Sequence, residues 1–530
     1  MKRKALCVAL LLLYLLWNWL PLLLCLSVFL HFYFTRNNGY WRKRGVRYLE
    51  PAPVIGNLSP LLHVRVSPGQ LFADIYNQGE GEPFIGCFIF DKPALVIRDL
   101  ELIKRIVVKD FEHFHSRYTN TDASVDPVGA RNLFVTRGQR WKFFRAHLSP
   151  NFTTTKLRAY LPLMSQCAEE LTGYLKEVSA DTRKPITIRD VMARAATDVI
   201  TCCTLGIKSN TLRNKNAEFR KYGRKIFGFT TSRAFEILGH FLAPGLVKIG
   251  KFNFLQKETT AFFKQVVGEA VEFRKMNNVE RGDLLDSLLN LRELVDRKKN
   301  IKPDKPNVPE IDVKDEDIVG QSAIFFGAGF ETTSITLSFT LYEMAVNPRI
   351  QARLREEIAS GVKEQGGSLT YEAINGMKYL DMVVSETLRK YPPLLHLDRV
   401  CHKDYKLPES EVTIEKGTPV FIPVFGIHRD SQYYPDPLRY DPERFTEDNK
   451  VSRPQFAYMP FGHGPHNCIG MRFGLLSTKV LLVNVLSRFE VLPCEDTPRP
   501  VELSPFALFL SSVGGIPLVF KNIGSEMLAV

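Results

Sequence analysis

The segment Phe461-Gly-His-Gly-Pro-His-Asn-Cys468-Ile-Gly470-Met-Arg-Phe-Gly474 places one cysteine where a glycine-rich loop opens into a helix, predicted to start near Ile469. A thiolate there is favoured by the helix dipole and by unpaired backbone N–H groups, which lower its pKa and leave it a strong, soft ligand. Gly462, Gly464 and Gly470 let the backbone approach a flat partner closely. An isolated free cysteine is ordinarily a small buried apolar side chain, so it is this loop that points to chemistry.

A second segment, Ala328-Gly-Phe-Glu331-Thr332-Thr333, falls in a long predicted helix over 313–346. A mid-helix glycine costs about 1 kcal/mol against alanine, and threonine hydroxyls can bond back to carbonyls a turn earlier and bend the helix. The pattern leaves a niche over a cofactor, and Glu331 beside Thr332 sets an acid next to an alcohol able to relay protons through water. Glu386-Thr-Leu-Arg389 puts opposite charges three apart on one helix face. Trp141-Lys-Phe-Phe-Arg145 sets an indole and a guanidinium at i and i+4.

The pattern FxxGxxxCxG followed by a helix resembles the haem-binding loop of the cytochrome P-450 superfamily, the haem-thiolate monooxygenases. The resemblance implies that Cys468 is the axial ligand of the iron of haem b, its thiolate pushing electron density onto the metal. It implies that Glu331 and Thr332 belong to the oxygen-activating motif. Glu386 and Arg389, completed by Arg444 in Pro442-Glu443-Arg444-Phe445, would form a buried structural triad that holds the haem loop. Trp141 and Arg145 match the family's WxxxR, and Arg117 and Arg399 occupy places where relatives put arginines on the haem propionates. His466 stands where the family usually has arginine; a histidine is mostly neutral at pH 7, so haem retention would lean on Arg145, Arg117 and Arg399, or be weaker. Substrate contacts carried over by position come from Tyr118 to Val128, from Phe325, Phe326 and Ala328, from the Leu394 to Leu397 turn with Leu395 and Leu397, and from the Phe506 to Leu510 segment with Leu508. The finer likeness, in Arg42-Lys-Arg-Gly-Val, Met382 to Pro393 and Gly464 to Gly474, is to microsomal insect enzymes of family six, which oxidise plant toxins, insecticides and some endogenous lipids.

The elements that must position these residues read as mainly helical with small β-sheets, a P-450 fold preceded by a transmembrane anchor. Helical periodicity predicts helices near 154–178, 190–203, 216–227, 258–276, 313–346, 348–362 and 381–391. Alternating apolar residues near Phe84 to Phe90 and Ala94 to Ile97 predict strands. Ala5 to Phe34 is thirty residues without Asp, Glu, Lys or Arg, against the about 20 that a bilayer core requires. Interrupted by Asn18 and Pro21, it suits one tilted helix, a kinked helix or a hairpin. The organisation expected is an anchor over 1–34, a basic, proline-containing hinge over 35–56, and one catalytic domain over 57–530, with Lys302 to Pro309 the best linker candidate. The aromatic stretch Phe227 to Phe254 suits either a membrane-dipping loop or ordinary core packing.

The net charge of +13, from 70 basic and 57 acidic residues, invites a nucleic-acid partner. Its distribution argues otherwise, because Met1 to Arg47 holds eight basic residues and no acid, and the remaining 483 residues carry only +5. Three of those cations precede the apolar segment and five follow it, which leans toward a cytosolic domain on the endoplasmic reticulum membrane. Glycans on Asn57-Leu-Ser or Asn151-Phe-Thr would reverse that orientation. Nine scattered cysteines without a CxxC spacing suit a reducing compartment.

No dinucleotide or Walker motif follows a strand, so electrons must come from a partner. The resemblance implies NADPH delivering them through membrane-bound NADPH–cytochrome P-450 reductase, with cytochrome b5 a further donor, and Lys142, Arg472 and Lys479 would steer an acidic flavoprotein. The activity expected is insertion of one atom of O2 into an apolar small molecule. The alternatives are a haem-thiolate isomerase or dehydratase acting on peroxides without O2, and, from another class, a membrane-anchored basic binding or scaffold protein.

Overall fold

The computed structural model describes residues 2–180, 184–227, 231–299, 311–364, 369–505 and 508–524, with the side chains of 2–18, 231, 298 and 299 left out. It is mainly helical. The expected linker Lys302 to Pro309 and the residues Phe229 and Phe506 lie outside the described residues.

Strands β1 (Phe84–Ile89), β2 (Lys92–Ile97), β4 (Leu397–Val400) and β7 (Pro419–Ile422) form one sheet in the order β1-β2-β7-β4, parallel only between β2 and β7. β3 (Ile186–Thr187), β8 (Phe489–Pro493) and β9 (Pro517–Asn522) make a second sheet, and β5 (Tyr405–Lys406) pairs with β6 (Thr413–Ile414). The predicted helices are observed at Thr154–Val178, Ile188–Leu205, Glu218–Phe227, Lys257–Asn277, Asp315–Val346, Pro348–Glu364 and Lys378–Lys390. Gly138–Leu148, which carries Trp141 and Arg145, and Met471–Leu486, which follows the cysteine loop, complete the set that surrounds the candidate site.

The Asp315–Val346 helix is the axis of the molecule, and nearly all of its side chains are buried. Its amino end is fixed by Asp317, whose carboxylate accepts from the Lys314 N–H at 2.9 Å and pairs with Arg131 at 3.0 Å and with Arg140. One turn on, Gln321 accepts from the Leu133 N–H and donates to the Arg131 carbonyl, at 3.0 and 2.9 Å. At Gly320 a β-carbon would stand 2.6 Å from the Val128 carbonyl oxygen. These contacts lay the 128–134 segment directly on the long helix.

The apolar amino-terminal segment is one continuous helix, Lys2–Thr35, that runs through Pro21 and not a hairpin. From Trp19 to Tyr33 its side chains are exposed. Among the described residues no helix is long and apolar enough to cross a membrane. After it, the segment expected to be a hinge is packed onto the first sheet. Arg36 pairs with Asp91 at 2.6 Å, and Asn37 donates to the Asp91 carbonyl at 2.9 Å. Trp41 is fully buried, its indole N–H donating to the Cys87 carbonyl at 3.1 Å, and its ring lies where a β-carbon on Gly86 would come within 2.6 Å. The two sequons are structural: Asn57 spans Leu49, Glu50 and Phe88 with its amide, and the buried Asn151 donates to the Leu148 carbonyl and accepts from Ser287. Both side-chain amides are hydrogen-bonded within the fold.

Trp41→Ala removes a fully buried indole and leaves a void that the sheet cannot collapse. A loss of about 3–5 kcal/mol in urea unfolding is expected, whereas Arg42→Ala, on the exposed side of the same turn, should change it by less than about 0.5 kcal/mol.

Candidate active site

The cysteine loop is held by its own backbone. The Gly462 N–H donates to the Met459 carbonyl at 3.0 Å, Asn467 to Gly464 at 3.0 Å, and Cys468 to Phe461 at 2.8 Å. Gly462 and Gly464 both take positive φ, 67° and 73°. A β-carbon on Gly464 would lie 1.9 Å from the Val107 carbonyl oxygen, so only glycine fits under that segment.

Cys468 is open to a cavity that it lines, although the surrounding protein desolvates its sulfur. Burial pushes its thiol pKa above the usual value, and the Gly470 N–H, Arg145 and Arg117 pull the other way. The helix amino terminus thus acts on this sulfur as expected, but desolvation outweighs it until a cation binds the thiolate. Arg145 donates to the carbonyl and the side-chain oxygen of Asn467, at 2.9 and 2.5 Å, so the WxxxR arginine clamps the residue just before the cysteine. Trp141 lines the cavity, its ring 3.9 Å from that of His466.

The cavity wall is apolar and aromatic: Phe134, Phe152, Phe227, Phe241, Phe254, Phe325, Phe461 and Phe509 contribute, with Ile200, Ile324, Leu394 and Leu397. Its polar face is a row of one-turn spacings on the long helix, Ala328, Gly329, Thr332, Thr333 and Thr336, and the Thr332 hydroxyl bonds back to the Ala328 carbonyl at 2.8 Å. Gly329 is needed chiefly because Ile200 packs there, its Cδ1 2.5 Å from a β-carbon position.

Several sequence expectations are relocated. Glu331 does not line the cavity; its carboxylate pairs with Arg189, which also donates to Ser334. Phe326 lies on the next stripe of the helix, turned from the cavity against Phe219, Phe263 and Phe330. Leu395 is buried over Gly69, where a β-carbon would touch it at 2.0 Å, and its neighbour Leu394 faces the cavity instead. Leu508 is buried away from the cavity, and Phe509 takes that place. No residue of 118–128 lines the wall; Tyr118 instead donates to the Leu242 carbonyl at 3.3 Å. The aromatic stretch resolves mostly as cavity wall through Phe227, Phe241 and Phe254, with Phe235 exposed. Lys479 is buried and paired with Asp381 at 2.9 Å, so it cannot steer a partner; Arg472 is exposed, and Lys142 pairs with Glu112 at 3.5 Å.

Arg117, Arg145 and Arg399 crowd the side of the cavity by the cysteine loop with Asp398 as the nearby acid; burial lowers the pKa of all three, Arg145 lowers Arg117 further and Arg117 lowers Arg399 further. Arg399 itself does not reach the cavity wall; it donates to the Asp398 carbonyl, and its Nε has no partner among the described residues. His466 donates from Nε2 to the His115 carbonyl at 2.9 Å, leaving Nδ1 without a partner among the described residues, and burial with the neighbouring arginines pushes its pKa down to about 2. An excess of buried positive charge beside a soft sulfur and an apolar wall fits a flat, dianionic metal macrocycle: a haem matches each part of this donor set.

Beneath the loop, Glu386 and Arg389 form a two-pronged pair at 2.6 and 2.8 Å, both fully buried. Arg444 approaches the same carboxylate only at 3.6 Å and bonds the Asp436 carbonyl, while the Asp441 N–H donates to Glu386 at 2.9 Å. Arg389 also donates to the His428 carbonyl at 2.9 Å. His428, invisible to motif reasoning, gives its Nδ1 proton to the Arg389 carbonyl and accepts the Met459 N–H on Nε2 at 2.9 Å. Since Met459 in turn accepts from Gly462, a continuous chain of bonds runs from Glu386 to the cysteine loop. Burial first, then Arg389, pushes the His428 pKa down to about 3, and burial alone lowers His396 to about 4.

A sequence profile described as Cytochrome P450 matches residues 46–517. The chain is 48% identical to Cytochrome P450 6k1 of Blattella germanica over 512 residues, covering 94% of this chain and 96% of that one. It is 40% identical to Cytochrome P450 6l1 of the same insect, covering 94% and 95%, and 38% identical to Cytochrome P450 6a2 of Drosophila melanogaster, covering 95% and 99%.

His428→Ala should cost about 1–3 kcal/mol at pH 7 by orphaning the buried Met459 N–H. Because His428 and His396 titrate lower folded than unfolded, the unfolded chain binds more protons, and stability is lost as pH falls from about 6.5 toward 3. The alanine variant should therefore show a shallower fall of the urea midpoint between pH 6.5 and 4.5. The fold, the cavity and these matches together establish that the chain belongs to the cytochrome P450 family of haem-containing monooxygenases.

Proposed function

We propose that this enzyme inserts one atom of O2 into apolar small molecules of the xenobiotic, plant-toxin, insecticide or lipid kind, drawing electrons from NADPH through a flavoprotein reductase. The observation that carries the substrate class is the wall: beyond the threonine row, the arginine cluster, Thr478 and the cysteine loop's own His466, Asn467 and Cys468, its described side chains are aromatic or aliphatic, so a charged substrate would lose its hydration without a partner.

In this reading Cys468 ligates the haem iron, and the haem supplies the O2-activating chemistry. Arg145 and Arg117 neutralise the propionates, while Arg399 acts from behind them and Trp141 packs beside the site. Arg145 also fixes the ligand loop through Asn467. Thr332 holds and passes a proton at its hydroxyl toward the oxygen site. Glu331 is held at the back of the helix by Arg189, so it delivers protons only on leaving that pair. Arg189 is a positioning residue in this scheme. Glu386, Arg389 and Arg444 act as scaffold.

The apolar Lys2–Thr35 helix, with the exposed Phe235, Leu246 and Ile249 on the 231–250 segment, supports attachment to the endoplasmic reticulum membrane with the catalytic domain in the cytosol. Arg472 and Lys142, near the cysteine loop, support docking of an acidic reductase, with cytochrome b5 as a second donor.

Cys468→Ser should abolish the thiolate-type Soret band of the reduced carbon monoxide complex. A retained band would sink the ligand assignment. With reductase and NADPH, Thr332→Ala should keep NADPH consumption within about threefold while product per NADPH falls roughly tenfold. Turnover that proceeds without NADPH and O2 would instead establish the isomerase reading. His466→Arg, adding a cation beside the propionate cluster, should raise the thermal midpoint of the haem-loaded enzyme; no change would show that the cluster is already neutralised.

A further inference from the structure

Each cation of the cluster beside the cysteine loop has its own restraint. Arg145 is clamped on Asn467, and Arg399 donates to the Asp398 carbonyl. Arg117 feels Asp398 only through its charge, without an ion pair among the described residues. What holds Arg117 is Phe134. Its Nη1 donates to the Phe134 carbonyl at 3.0 Å, and its guanidinium carbon stands over the Phe134 ring, 4.5 Å from the centroid. One residue thus grips the cation twice, with its backbone and with the negative face of its ring.

Both halves of this grip are fixed by other contacts. The Phe134 N–H donates to the side-chain oxygen of the buried Asn132 at 2.8 Å, and the N–H before it, on Leu133, is the one that Gln321 of the long helix accepts. On the other side, Arg137 donates to the carbonyls of Arg117 and Tyr118 at 2.8 and 3.0 Å, which sets the backbone that carries the cation. The Phe134 ring also stacks with Phe254, centroids 6.3 Å apart and planes 28° apart, and meets Phe241 at 6.0 Å. Arg117, Phe134, Phe241 and Phe254 all line the chamber. The cation is therefore presented to the chamber on an aromatic bed instead of a carboxylate, which keeps its charge unspent.

We infer that Phe134 is a positioning residue for haem: its ring and carbonyl together hold the Arg117 guanidinium ready for a propionate, so that haem retention in this chain depends on a ring at position 134. The inference rests on the pairing of Arg117 with a propionate proposed above. Phe134 acts through Arg117 and not on the reacting atoms. An aliphatic side chain at 134 keeps the carbonyl bond but presents no negative face, which leaves the guanidinium free to turn away from the chamber.

The test loads the full chain with haem and follows haem transfer to excess apomyoglobin through the Soret band, at fixed pH and salt. Two changes leave the carbonyl in place. Phe134→Leu removes the ring, and pentafluorophenylalanine introduced at position 134 by nonsense suppression keeps its shape while reversing the charge of its face. Each should speed haem loss by about fivefold, and Arg117→Leu by at least as much. In the Arg117→Leu background either change at 134 should add less than about twofold, because its effect runs through the cation. A pentafluorinated protein that keeps haem as the wild type does, while Arg117→Leu loses it faster, would overturn the inference and leave the propionate pairing standing. No acceleration by Arg117→Leu would overturn both. Equal acceleration with and without the Arg117 cation would show that the ring only fills space, which also overturns the inference. The pentafluorinated protein, close to the wild type in shape, decides the matter even if Phe134→Leu fails to fold.

Discussion

The buried pair of Glu386 and Arg389 is the contact on which the active site rests. Two opposite charges with no exposure are expensive to bring out of water, and they persist only because every remaining donor and acceptor is used. Arg389 spends its other N–H on the His428 carbonyl, and Glu386 accepts from the Asp441 N–H. The satisfied pair thereby fixes the backbone at two distant points. His428 carries that fixation to Met459 and so to the first turn of the cysteine loop. Desolvation that would be a liability elsewhere gives the loop a rigid footing here.

Rigid footing on one side is met by apolar packing on the other. The long Asp315–Val346 helix offers the cavity its threonine row, and the aromatic side chains of the 227–254 region close over it. Between the two, the arginine cluster keeps a local surplus of positive charge that the protein's own acids do not cancel. Charge is thus concentrated at one wall and nearly absent from the others, and that asymmetry orients a flat anionic cofactor before any substrate enters.

Much of this was legible in the chain because the decisive signals were local. The period of 3.6 located seven helices to within a few residues, and the glycine spacing around Cys468 named the loop. What stayed hidden was which way side chains turn and what meets them from far away. Phe325, Ala328, Thr332 and Thr336 share one stripe of their helix, while Phe326 and Phe330 share the next, and a sequence cannot say which stripe faces the cavity. Leu395 and Leu508 are each one residue away from the side chain that lines the wall. His428 and Arg189 are single residues without a motif, significant only through partners 31 and 142 positions away. The motif makes Arg444 an equal member of the triad, yet its guanidinium reaches the Asp436 carbonyl more closely than the carboxylate.

The docking of Trp41 against Gly86, with Arg36 and Asn37 gripping Asp91, bears on more than stability. The sheet that receives them includes β4, whose residue Leu397 lines the cavity and whose residue Arg399 belongs to the cationic cluster. The exit of the first helix and one wall of the reaction chamber are therefore parts of the same small lattice of strands. Any surface that captures that helix also sets the compass direction of the chamber, so apolar molecules arriving along the surface meet it in one fixed aspect rather than through a tumbling head on a tether.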